Sequence, residues 1–153
     1  MLDKALDCEV HLSNRYQITL AAELDSLSRF RTLIKSACDG EAGVDEAACY
    51  DLQLAVDEAC TNIITHGYAG MNPGSIMLTL EMLPERVIMT LTDFGYAFEP
   101  YEPPAPDAVA AMEERPTSGF GLYFIYQTMD EIDYLTTLDS NQLTLIKKLE
   151  PIG

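Results

Sequence analysis

The sequence predicts an α+β fold: a two-layer sandwich with helices gathered on one face of a mixed, mostly antiparallel sheet. Three observations lead there. Apolar residues recur at three- and four-residue steps in the first half of the chain, which is helical spacing. Elsewhere they alternate strictly, which is strand spacing. The alternating segments come as neighbours joined by short turns, so the sheet is built from adjacent antiparallel strands rather than from repeated parallel crossovers.

The elements follow in order. Tyr16 to Ala22 reads as a strand. Leu24, Leu27, Phe30, Ile34 and Cys38 then mark one face of a helix that ends near Gly40. A second helix is predicted from about Val44 to His66, where Ala48, Leu52, Ala55, Val56, Ala59 and Ile63 repeat at helical spacing and Gly67 stands where a C-terminal cap belongs. Ile76, Leu78, Leu80 and Met82 alternate along one strand, Pro84 and Glu85 make a turn, and Val87, Met89 and Leu91 alternate along the next. Five prolines between Phe98 and Ser118 exclude a continuous strand or long helix there. Gly119 to Met129 reads as a last helix, and Ile132 to Leu138 with Gln142 to Leu149 as a closing hairpin around Asp139, Ser140 and Asn141.

The chain has 153 residues and a formal net charge of −16, with 48% hydrophobic residues. A length of this order buries roughly 70% of the unfolded surface in one core, so a single domain over 1–153 is expected, with no need of disulfides or a structural metal. Such acidity repels phosphates and anionic lipid, which argues against nucleic acid or a membrane surface as a partner. The four cysteines, Cys8, Cys38, Cys49 and Cys60, form no C-x-x-C pair and have no histidine at zinc spacing, so they are expected as buried thiols in a reducing compartment. Neither a leader nor a membrane-spanning run is legible, and a cytoplasmic location is the expectation.

Three places break the local rules. Glu58 and Asn62 lie four apart on the second helix, sharing a face beside the apolar stripe, where a carboxylate and an amide either pair or look into a cleft. Asp93 continues the apolar face of Val87, Met89 and Leu91, so it points into the interior or a pocket, and Gly95 follows it. Gly119 and Gly121 open a helical pattern, leaving free N–H groups at a helix start, which suits an anion. Each also has a plainer reading: a solvated helix pair, an Asp-Gly turn, a glycine-rich helix start. Their order gives them weight together: a polar helix face, an interior Asp-x-Gly, a proline-rich lid over about 96–118, then a phosphate cradle.

These motifs resemble a known family. Glu58 to Tyr68, the segment Glu-Ala-Cys-Thr-Asn-Ile-Ile-Thr-His-Gly-Tyr, is similar to the N box of the GHKL ATPases, and its His-Gly-Tyr ending resembles the bacterial anti-sigma factor serine-protein kinases. Asp93-Phe94-Gly95 with Phe98 resembles the G1 box, and Gly119-Phe120-Gly121-Leu122 the G2 box. The resemblance runs from about Tyr16 to Leu149 and implies a Bergerat-type sandwich that binds ATP and Mg²⁺. It implies that Asn62 ligates the metal, Glu58 serves as the catalytic base, and Asp93 accepts the adenine amino group. Gly95, Arg115, Gly119, Gly121 and Leu122 would then complete the nucleotide site. A P-loop is excluded, since no G-x-x-x-x-G-K-[ST] occurs.

The implied activity is phosphorylation of a serine or threonine on a small antagonist protein, alternating with sequestration of a sigma factor, and the implied partners include a second copy of the chain in a homodimer. One departure stands out. Where such kinases usually carry an arginine before Ser-Gly-x-Gly, this chain has Thr117, with Arg115 the nearest candidate. A γ-phosphate clamp acts mainly on transition-state charge, so the second reading is an ATP-binding interaction module with little or no kinase activity. His66 is expected to be structural, and Arg29 and Arg31 to lie on a solvated face.

Overall fold

A computed structural model describes residues 14–41, 43–70, 72, 74–96 and 124–150. Their order is strand β1 (Asn14–Ala21), a short 3₁₀ turn, helix α1 (Leu27–Asp39), helix α2 (Glu46–Asn62), a π-helical turn (Ile63–Gly67), then strands β2 (Ser75–Leu83), β3 (Arg86–Asp93), β4 (Glu131–Thr136) and β5 (Asn141–Lys148). Residues 124–128 form a helical turn before β4. The sheet runs β1-β2-β3-β5-β4, and all four pairings are antiparallel.

Alternation explains which face is covered. Along β2 every second residue is buried, and Ile76, Leu78, Leu80 and Met82 meet Phe30 and Ile34 of α1 and Leu52, Val56 and Cys60 of α2 in one core. Each such aliphatic burial contributes about 1.5–3 kcal/mol. Leu143 and Leu145 of β5 extend the same face beside Leu91 and Met89. Ile125 and Met129 close it.

The ends of the elements differ from the periodic reading in informative ways. The second helix starts two residues later than expected because the Asp45 carboxylate accepts from the Ala48 N–H at 2.8 Å and caps it. At its other end the regular helix stops at Asn62 rather than His66. The chain widens there into a turn closed by Tyr68 N–H to the Ile63 carbonyl at 3.0 Å, a five-residue step that periodicity alone does not distinguish from helix.

Cys38, Cys49 and Cys60 are free and buried as expected; Cys8 lies outside the described residues. Burial, with the neighbouring Cys49 thiol, pushes the Cys38 thiol up to about 12, and burial also raises Cys60. Both stay protonated and act as small apolar groups. Arg31 departs from expectation, since its guanidinium holds Asp57 of α2 at 2.8 Å instead of facing solvent alone.

Candidate functional site

The widened end of α2 meets the end of β3. Tyr96 donates its backbone N–H to the Gly67 carbonyl at 2.6 Å, and the Tyr68 hydroxyl donates to the Ser75 carbonyl at 2.8 Å while accepting from the Phe94 N–H at 3.0 Å. One tyrosine thereby ties the π turn to the start of β2 and to the residue after β3. Gly95 is required by this approach: a Cβ there would come within 2.6 Å of the Gly67 carbonyl carbon. Its backbone φ is not positive, so close packing and not a left-handed turn is the reason for glycine.

Asp93 is the last residue of β3 and is 5% exposed. The period-two expectation of an inward carboxylate therefore agrees with its burial. Its Oδ1 accepts from the Gly95 N–H at 2.9 Å and from Asn141 Nδ2 at 3.0 Å. No described residue donates to Oδ2. A carboxylate with one oxygen saturated by protein donors keeps the other available to a ligand donor.

Asn62 closes α2 and is 3% exposed, yet among the described residues neither its Oδ1 nor its Nδ2 has a hydrogen-bond partner. An orphaned buried amide costs free energy and calls for an explanation. Glu58, one turn earlier, is half-buried, and burial first, then the charge of Asp57, raises its carboxyl above the ordinary value. A Cβ on Gly67 would lie 3.6 Å from Ile63 and 3.7 Å from Asp93 Oδ1, so the end of β3 stands against the turn that follows α2. The structure thus brings Glu58, Asn62, Asp93 and Gly95 to one end of the sandwich. Arg115, Gly119, Gly121 and Leu122, with Thr117 and the proline-rich segment from 97 onward, lie outside the described residues.

Asn141, read from sequence as part of a hairpin turn, is the residue that sequence reasoning missed. It is 3% exposed and sits opposite Asp93 in the β3–β5 register. The only local signal was an asparagine entering an alternating strand on its apolar face. His66 is exposed on the π turn. A cavity of about 480 Å³ lined by Cys38, Asp39, Glu46 and Cys49 lies at the opposite end of α2 and includes none of the predicted residues.

Comparison with known proteins follows the same geometry. Residues 20–147 match the family described as a histidine kinase-like ATPase domain. The chain is 28% identical over 102 residues to the serine/threonine-protein kinase BtrW of Bordetella bronchiseptica, covering 67% of this chain and 72% of that one. It is 31% identical over 94 residues to the serine-protein kinase RsbW of Bacillus cereus, where the match spans 56% of this chain and 55% of that one. The solved RsbU and RsbW domains of Rv1364c from Mycobacterium tuberculosis share the fold, with a TM-score of 0.64 at 18% identity over 89% of this chain and 32% of that one.

Proposed function

The chain belongs to the histidine kinase-like ATPase domain family, and on that premise we propose that it is a Mg-ATP-dependent protein serine/threonine kinase of the anti-sigma factor type. The observation that carries the reading is Asn62, a buried amide with both polar atoms unpartnered, one helical turn after a carboxylate of raised pKa. Its amide oxygen is a hard donor suited to Mg²⁺. Mg²⁺ is an ion that commonly takes most of its ligands from phosphates and water. Bound there, Mg²⁺ would neutralise charge on the triphosphate.

The remaining roles fall to side chains already described. Asp93 Oδ2 would accept the adenine amino group, with Gly95 letting the backbone close beneath it. Glu58 would accept the proton of a serine or threonine hydroxyl as its oxygen bonds to the γ-phosphorus and the bond to the ADP oxygen breaks. A carboxylate of raised pKa is a stronger proton acceptor than an ordinary one, which suits a general base. Arg115, Gly119, Gly121 and Leu122 would hold the phosphates, a role that rests on their sequence pattern. The proposed partners are a small antagonist protein bearing the phosphorylated residue, a sigma factor held when that antagonist is absent, and a second copy of this chain. Among the described residues no helix is long and apolar enough to cross a membrane.

Thr117 favours the second reading, an ATP-binding interaction module with weak turnover. Incubation with γ-labelled ATP, Mg²⁺ and candidate antagonists encoded nearby separates the two. Label on the antagonist that disappears with Glu58→Ala establishes the kinase. ATP binding without transfer establishes the module, and a flat calorimetric titration with Mg-ATP refutes both.

A further inference from the structure

We infer that Asn141, anchored by Thr136, is the positioning residue that selects adenine over other purines by fixing which oxygen of Asp93 faces the base; this rests on the nucleotide reading of the site. The β4–β5 hairpin sets the register of the three residues. Thr137 donates its N–H to the Ser140 carbonyl at 2.8 Å, and its hydroxyl accepts from the N–H groups of Asp139 and Ser140 at 3.2 and 3.0 Å. That closed loop sets Thr136 opposite Asn141 in register, and β5 in turn sets Asn141 opposite Asp93.

The side chains then leave one arrangement. Asn141 Nδ2 reaches Asp93 Oδ1 and the Gly95 carbonyl, both at 3.0 Å, while Oδ1 accepts from the Thr136 hydroxyl at 3.1 Å. Both amide hydrogens face groups that can only accept, and the amide oxygen faces a donor. A flipped amide would set oxygen against oxygen at both of the acceptor-only contacts, so Asp93 and Gly95 fix its orientation, and the Thr136 hydroxyl anchors the far side. With Oδ1 of Asp93 held by Asn141 and by the Gly95 N–H, the carboxylate cannot rotate to present a different face. Oδ2 is thus a fixed acceptor where a purine 6-amino group donates and a 6-oxo group repels. The second bond of the same amide, to the Gly95 carbonyl, locks the turn on which Asp93 ends. The Gly95 N–H holds Oδ1 from within the turn, and the amide adds a second hold from 48 positions away.

The test is the ratio of ATP to inosine triphosphate affinity, measured by calorimetry with Mg²⁺ on the full chain. Inosine differs at the purine 6-position, an oxo for an amino group. Loss of folding or of general site shape weakens both nucleotides by a common factor and leaves the ratio alone. Loss of positioning lowers the ratio. Asn141→Ala is expected to reduce it about tenfold. Thr136→Val, which keeps shape but removes the hydroxyl that anchors the amide, should reduce it severalfold, and Thr136→Ser should restore it. If Asn141→Ala does not fold, the Thr136 pair decides alone. An unchanged ratio in folded Asn141→Ala, or in Thr136→Val where that pair decides, overturns the inference while the wild type still prefers ATP. A wild-type chain that binds neither nucleotide overturns the site reading instead.

Discussion

Replacing Asn62 by alanine should stabilise the nucleotide-free protein while removing the Mg²⁺ dependence of ATP binding. Three contributions set the magnitude. A buried amide with neither atom paired costs the fold about 1–3 kcal/mol relative to a paired one, and Asn62 is in that state at 3% exposure. Alanine adds roughly 0.5 kcal/mol of helix propensity at the end of α2. Against these stands the loss of dispersion contacts from the truncated amide, roughly 1 kcal/mol. The balance favours alanine by about 1 kcal/mol, which for a domain of this size is a rise of roughly 2–4 °C in melting temperature. Truncating a buried, bonded asparagine normally moves stability the other way. The assay is a thermal melt without nucleotide, followed by calorimetric titration of ATP with and without Mg²⁺. A melting temperature that falls by several degrees would show that the amide is bonded within the protein, and a Mg²⁺ effect that survives in the variant would remove Asn62 from the metal site.

Three further outcomes follow from the same geometry. In Asp93→Asn the oxygen stays toward Gly95 N–H and Asn141 Nδ2, so the new NH₂ takes the Oδ2 position and opposes the adenine amino group; ATP affinity should fall about 30-fold, near 2 kcal/mol, and unchanged affinity in a folded variant removes Asp93 from the site. Gly95→Ala forces a Cβ against the Gly67 carbonyl backbone and should lower stability by about 2 kcal/mol in chemical denaturation, with a neutral result refuting the close approach. Glu58 has a folded-state pKa above the ordinary 4.5, so its contribution favours the fold at low pH and is lost as pH rises through the folded value. The melting temperature of wild type minus that of Glu58→Gln should therefore decline as pH is raised from the ordinary value of 4.5, and a difference that is flat or rises shows that the carboxyl is not desolvated.

The local pattern of the chain made much of this architecture legible. Helical spacing located the faces of α1 and α2, alternation located all five strands to within two residues, and period two pointed Asp93 inward. The four-residue step from Glu58 to Asn62 placed both on one face of α2. Spacing works for these features because backbone periodicity and the side on which a residue falls are properties of neighbouring dihedral angles.

What periodicity could not supply was every relation between distant segments. The insertion of β5 between β3 and β4, the pairing of Arg31 with Asp57, the widening of the chain after Asn62, and the approach of Gly67 to Gly95 depend on which surfaces bury each other. Asn141 shows the difference most sharply. Its sequence neighbours mark only a turn and the start of a strand, and the register of two antiparallel pairings converts it into a partner of Asp93. The sequence by itself determined that Glu58 and Asn62 share a face of α2 and that Asp93 turns inward. Tertiary structure alone decided that Asn62 is buried without a partner and that Asp93 is held by one oxygen, because the cost of an unpaired polar atom and the geometry of a hydrogen bond exist only once water has been excluded and distant strands have met.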